Sequence, residues 1–155
     1  MIATAFAHVA LNCRDMRRTE EFYTRYFGFR RARVVELGTD QVVFLKSGSM
    51  YLELFRAEQE SPLPAAEKDG PAHAGVRHLA FQVVNVDAKL AELEGEAPIT
   101  FGPFGFDSFI PGWRTAWVAD PDGNVLEISQ GFVDQPNPPA LDTPTERFVP
   151  AAVCS

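Results

Sequence analysis

The sequence predicts an α+β fold of two tandem modules, each running strand, helix and three strands. Three observations predict it. The strand–turn–strand unit Ala116-Trp-Val-Ala-Asp-Pro-Asp-Gly-Asn-Val-Leu-Glu-Ile-Ser129 carries a single acid, Glu127, between Leu126 and Ile128. The stretch Phe44-Leu-Lys-Ser-Gly-Ser-Met-Tyr-Leu-Glu-Leu-Phe55 repeats the pattern, with Glu53 between Leu52 and Leu54. Each copy is preceded, at nearly equal separation, by a strand-like segment opening on a histidine: His8-Val-Ala-Leu and His78-Leu-Ala-Phe.

Ala5 to Cys13 alternates, with His8, Ala10 and Asn12 on one face and Val9 and Leu11 on the other, the period of a strand. Asp15 can cap a helix in which Phe22, Tyr23 and Tyr26 fall at helical spacing, and Gly28 is a natural stop. Strand-like runs follow through Val34-Val35, Val42 to Leu45 and Tyr51 to Phe55, separated by Gly38-Thr-Asp40 and Ser47-Gly-Ser49. Residues 1–56 therefore form the first module. Residues 57–75 carry charge, proline and glycine without periodicity and read as a linker. Residues 76–131 restart the order: His78, Ala80 and Gln82 share a face, Asn85 can cap a helix bearing Val86, Leu90 and Leu93, and Gly95 ends it. Strands are expected around Ile99 to Phe101, Arg114 to Val118 and Asn124 to Gln130. Between Gly102 and Gly112 a loop is expected, in which Phe104, Phe106 and Phe109 interleave with glycine and proline. It is either a surface loop pinned by its aromatics or an apolar wall of a pocket. Residues 132–155 are proline-rich and aperiodic, and are expected to run extended.

Alternation decides which way the acids point. Glu53 shares its face with Tyr51 and Phe55, and Glu127 with Val125 and Ser129, while the flanking leucines and isoleucine face a helix layer. One acid so flanked is usually the solvent side of a strand. Two of them, each matched to a strand histidine, point to a metal site made of His8, Glu53, His78 and Glu127. Neutral imidazole suits Zn, Ni, Co and Fe, carboxylates also accept Mn, and two carboxylates balance a divalent charge. Four protein ligands leave room on the ion for a chelating substrate. His73, in the linker, is expected at the rim rather than on the ion.

The bulk properties limit the remaining classes. The chain has 155 residues, 46% of them hydrophobic, enough for one compact domain or two small modules sharing a core. A formal charge of −7 argues against nucleic acid as a partner, since that needs a basic surface. No run approaches the roughly 20 apolar residues of a membrane span. The opening residues lack the basic start and apolar run of a secretion signal. A cytoplasmic protein is expected. Cys13 and Cys154 belong to no cysteine framework, so a disulfide is not expected.

His8-Val-Ala-Leu, the Phe22-Tyr23…Phe27-Gly28-Phe29 helix end, Tyr-Leu-Glu-Leu, His-Leu-Ala-Phe and Asp120-Pro-Asp-Gly-Asn-Val-Leu-Glu-Ile128 together resemble the vicinal oxygen chelate superfamily over residues 5–131. That superfamily includes glyoxalase I, methylmalonyl-CoA epimerase, extradiol dioxygenases and the fosfomycin and bleomycin resistance proteins. The resemblance implies paired βαβββ modules whose curved mixed sheets enclose a metal cleft, with His8, Glu53, His78 and Glu127 as ligands. It also implies a homodimer, with the modules pairing either within a chain or between chains.

A full His, Glu, His, Glu set resembles glyoxalase I and the epimerase. Extradiol dioxygenases leave the Glu53 position without a ligand around Fe(II), and drug-binding relatives generally lack the metal set. The expected activity is therefore a metal-dependent lyase or isomerase moving a proton beside a chelated carbonyl or oxygen pair. Glu127 or Glu53 is the catalytic acid–base, with Glu127 favoured. An Fe(II) dioxygenase or a metal-free antibiotic-binding protein is the alternative. The expected substrate is a small, partly apolar molecule. Its pocket would be lined by Asn12, Tyr51, Phe55, Gln82, Phe104, Phe106, Phe109, Trp113 and Arg114. Arg14, Arg77 and Arg114 are the cations available to a glutathione-like or CoA-like ligand.

Overall fold

The computed structural model describes residues 2–140. Ten elements follow one another: β1 (Val9–Cys13), α1 (Met16–Tyr26), β2 (Arg30–Leu37), β3 (Asp40–Ser47), β4 (Met50–Arg56), β5 (Leu79–Gln82), α2 (Val86–Glu92), β6 (Ile99–Gly105), β7 (Arg114–Ala119) and β8 (Val125–Gln130). The order strand, helix, three strands thus occurs twice. The last residues of the tail, with Cys154, lie outside the described residues.

Local chemistry explains the boundaries. The Asp15 carboxylate accepts from the N–H groups of Arg17 and Arg18, satisfying two of the free donors at the start of α1. The helix ends where Gly28 takes a left-handed conformation at φ +67°. Asn85 caps α2 through the Ala88 N–H. The strands holding the histidines begin one residue after them, at Val9 and Leu79, because pairing with β4 and β8 starts there. β6 continues past Phe101 to Gly105, where a loop was expected. The register shifts between Phe101 and Phe104, with Gly102 at φ +82°, and pairing resumes as Phe104 opposite Thr115 and Gly105 opposite Arg114.

Each module forms a mixed four-stranded sheet. The orders are β1-β4-β3-β2 and β5-β8-β7-β6, with β1–β4 and β5–β8 parallel and the other pairs antiparallel. The registers coincide: Ala10 lies opposite Glu53 as Ala80 lies opposite Glu127, and Phe44 opposite Glu53 as Trp117 opposite Glu127.

One hydrophobic core serves both modules. Leu52 and Leu54 of the first sheet, Leu126 and Ile128 of the second, and Phe22, Tyr23, Val86 and Leu93 from the helical segments belong to a single buried cluster. Burying each such side chain stabilises the fold by about 1.5–3 kcal/mol. Phe81 of β5 packs on Phe27 at 4.6 Å between ring centroids, which ties the second sheet to the end of α1.

The turn before β8 adds a polar clasp. Tyr23 donates to Asp120 Oδ2 (2.8 Å), Thr19 donates to Asp122 Oδ2 (2.6 Å) and the Arg14 N–H donates to Asp122 Oδ1 (2.8 Å). Burial pushes the Asp120 carboxyl and the Tyr23 hydroxyl above their ordinary values. It also raises the free Cys13 thiol to about 12, leaving it unreactive. Among the described residues, no helix is long and apolar enough to cross a membrane.

Because the helix sides of both sheets meet in this core, the faces bearing Glu53 and Glu127 point away from each other.

Candidate functional site

On the outward face of the first sheet, His8 Nε2 lies 3.0 Å from Glu53 Oε2. On the second, His78 Nε2 lies 2.8 Å from Glu127 Oε2. An aromatic ring borders each imidazole edge-on, Phe44 at 5.9 Å and Trp117 at 6.2 Å. The structure therefore joins the four residues only two by two, and the single four-residue site expected from the sequence is not gathered within one chain. Among the described residues, no three His, Cys, Asp or Glu side chains gather closely enough to hold one ion.

Hydrogen bonding around His78 bears on whether a cation fits. His78 Nδ1 lies 2.6 Å from the Asp69 carbonyl, which can only accept, so Nδ1 carries a proton. A positive charge at Nε2, a proton or a metal ion, then bridges it to the Glu127 carboxylate 2.8 Å away. The Asp69 bond holds the ring in the tautomer and direction a ligand needs. Thr115 donates to Glu127 Oε1 (3.0 Å) and fixes the other carboxylate oxygen. His8 and Glu53 have no equivalent supports among the described residues. Each pair offers an imidazole and a carboxylate, donors that divalent ions accept, and among the described residues one chain brings only these two such groups to either place.

Asp69 and Thr115 were not expected from the sequence. Alternation along β7, which sets Thr115 on the same face as Trp117, could have found Thr115, but nothing local marks Asp69 in the 57–75 linker. A side chain at Gly70 (φ +118°) would meet the Arg77 carbonyl at 2.0 Å, so only glycine lets this segment approach the strand that follows His78. Arg77 also binds Asp69, and holds that carboxyl below its ordinary value. His73 is exposed and turned toward the Ala74 carbonyl.

Asn12, Tyr51 and Phe55 lie on the Glu53 face, and Gln82 on the Glu127 face. Trp113 reaches the same face, where its indole N–H donates to Ser129 Oγ (3.0 Å). Rings run on from Trp117 to Phe101 (5.5 Å), Phe104 (4.7 Å from Phe101) and Phe106, which packs on Trp113 (5.0 Å). Phe104 and Phe109 remain exposed, at 40% and 76%.

Arg114 does not join them. Alternation turns it to the helix side, where it pairs with Asp87 of α2 at 2.7 Å. Arg14 and Arg77 are engaged by Asp122 and Asp69. None of the three expected cations is therefore free to meet an anionic ligand.

The Glu53 face carries cations that the sequence did not suggest. Lys46 extends over the Tyr51 ring at 5.1 Å. Arg30 is registered opposite Lys46 and Arg33 opposite Phe44, with a bulge between Arg31 and Arg33. Without the bulge, Arg30 and Arg33 would fall on opposite faces; with it both point outward, while Arg31 turns back to pair with Glu20 of α1. Among the described residues, Arg30, Arg33 and Lys46 form no ion pair.

Comparison with known proteins agrees with this architecture. YwkD of Bacillus subtilis is 31% identical over 83% of this chain and 98% of its own. The crystal structure of a glyoxalase family protein from Enterococcus faecalis is 32% identical, covers 83% of this chain and 99% of its own, and superposes with a TM-score of 0.63. TnmS3, an antibiotic binding protein from Streptomyces sp. CB03234, shares the fold at 22% identity and a TM-score of 0.60, over 85% of this chain and 99% of its own. The model of the glyoxalase/bleomycin resistance protein/dioxygenase superfamily matches residues 5–128, which span both His–Glu pairs and both sheets. The chain belongs to that superfamily.

Proposed function

We propose that this protein is a metal-dependent lyase or isomerase of the glyoxalase type. Its site is completed between two copies of the chain, His8 and Glu53 coming from one and His78 and Glu127 from the other. The carrying observation is the duplication itself: two His–Glu pairs at identical register, on faces that one shared core turns outward. The strands beside the histidines are sheet edges, β1 in one module and β5 in the other. The residue two before each histidine is apolar and open to solvent, Phe6 at 70% and Val76 at 75% exposure, which suits these edges to burial against a second copy. A two-fold pairing of such surfaces generates two equal sites.

A divalent ion held there would polarise neighbouring substrate oxygens and make the adjacent C–H more acidic. Glu127 then takes the proton and returns it at the neighbouring carbon. Thr115 fixes one of its oxygens, so the other is presented in a set direction. Asp69 holds the His78 ring. The aromatic run from Trp117 to Phe106 keeps water from that side of the carboxylate.

Metal content and turnover test this together. Glu127→Gln should lose turnover by about 10²–10⁴-fold while keeping most of its metal, whereas His8→Ala should lose the metal. Normal turnover in both variants would remove the assignment. The second reading is a binding protein without turnover, favoured by the aromatic wall and by the fold shared with TnmS3. It predicts ligand affinity unchanged by chelation.

A further inference from the structure

We infer that the ligand of this site is an organic anion with an aromatic or similarly flat apolar body, its charged head lying on Arg30, Arg33 and Lys46. The inference rests on the cleft between copies proposed above. Strand order supplies the geometry. In each sheet the His–Glu pair sits at one end, on β1 and β4 or β5 and β8, and the far edge is β2 or β6. When the two pairs are brought to one centre, β2 and β3 form one outer wall and β6 and β7 the other.

The walls differ in chemistry. The first bears three cations with no ion-pair partner among the described residues, two of them exposed. On the second, Phe101 stands opposite Trp117 as Arg33 stands opposite Phe44, and Phe104, Phe106 and Trp113 continue the same face toward the β6–β7 connection, away from the level of Arg30 and Lys46. A cationic wall left unneutralised in a chain of net charge −7 attracts and orients a negative group. A run of ring faces and edges suits a flat apolar body. A ligand spanning both places its middle at the His–Glu pairs.

The test uses the dimeric, metal-loaded protein and calorimetric titration with 2-naphthoate and its neutral counterpart 2-naphthamide. Naphthoate should bind at least about tenfold more tightly, a preference that shrinks as salt is raised. Arg30→Gln/Arg33→Gln/Lys46→Gln should abolish the preference. The control Arg17→Gln/Arg18→Gln/Arg25→Gln, which removes the same charge from α1, should retain it. Phe104→Ala/Phe106→Ala should weaken both probes alike.

Equal affinities in the unaltered protein, or a preference surviving the first triple variant, as it would if the carboxylate bound only the metal, would overturn the inference. Sedimentation and metal content on the same samples separate the failures. A dimer with its metal but without charge preference overturns this inference alone, and a monomer overturns the cleft as well.

Discussion

The two outward faces have one backbone plan and two chemistries. Glu53 and Glu127 occupy matched registers, each with a histidine two residues ahead of the facing alanine and an aromatic ring across the antiparallel neighbour. Around this shared centre the first face is cationic and sparsely supported, and the second is aromatic and held by Thr115 and Asp69. Register fixes where a side chain can stand, and the residues at those places fix what they bind. The repeat therefore carries the proposed centre, and the differences carry the proposed ligand.

The largest test of the comparison mixes variants. His8→Ala and His78→Ala chains should each bind no metal alone. Refolded together in equal amounts, they should regain about a quarter of the unaltered content, because half of the dimers then hold one intact site in two. No recovery would show that the pairs do not join between copies.

Next in size is the clasp joining the modules. Asp120→Ala leaves Tyr23 and Asn124 donors unmet and should cost about 2–3 kcal/mol in denaturant unfolding. A cost below about 0.5 kcal/mol would mean that the shared core alone holds the modules.

The pH dependence has a definite sign. Burial raises the Asp120 carboxyl above its unfolded value of 3.8, so its contribution is fully present below that value and is lost as pH rises through the folded one. The stability of Asp120→Asn relative to the unaltered chain should accordingly improve as pH rises from about 4 through that window. A flat difference would mean that the carboxyl is not held above its ordinary value.

The smallest effect probes unequal support. Thr115→Val should lower turnover about tenfold, through Glu127, whereas Phe44→Leu, beside His8, should leave it within about twofold. Equal losses would erase the asymmetry between the faces.

Much of this was readable in the amino-acid order. Alternation around Leu52-Glu53-Leu54 and Leu126-Glu127-Ile128 determines the inward and outward sides, and the strand, helix, three-strand order follows from the same period. What escaped depends on contacts between distant residues. The bulge at Arg31 to Arg33 sets Arg30 and Arg33 on one face, which alternation alone would not do. Arg114 was assigned to the pocket although alternation along β7 sets it with Ala116 and Val118 on the helix side; only its partner Asp87 lies beyond local reading. β6 outran its expected end because pairing with β7 overrides the turn tendency of Gly102 and Pro103. The separation of the two His–Glu pairs is a property of the common core, which no local pattern records.

That common core has a thermodynamic consequence. Substitutions on opposite faces share no neighbours, so within one chain their effects on unfolding free energy should simply add. In the proposed dimer the same residues of different chains become neighbours around a ligand, and their effects on affinity should interact. Sites independent in folding would then be coupled in binding, through the geometry of one buried cluster that touches no ligand.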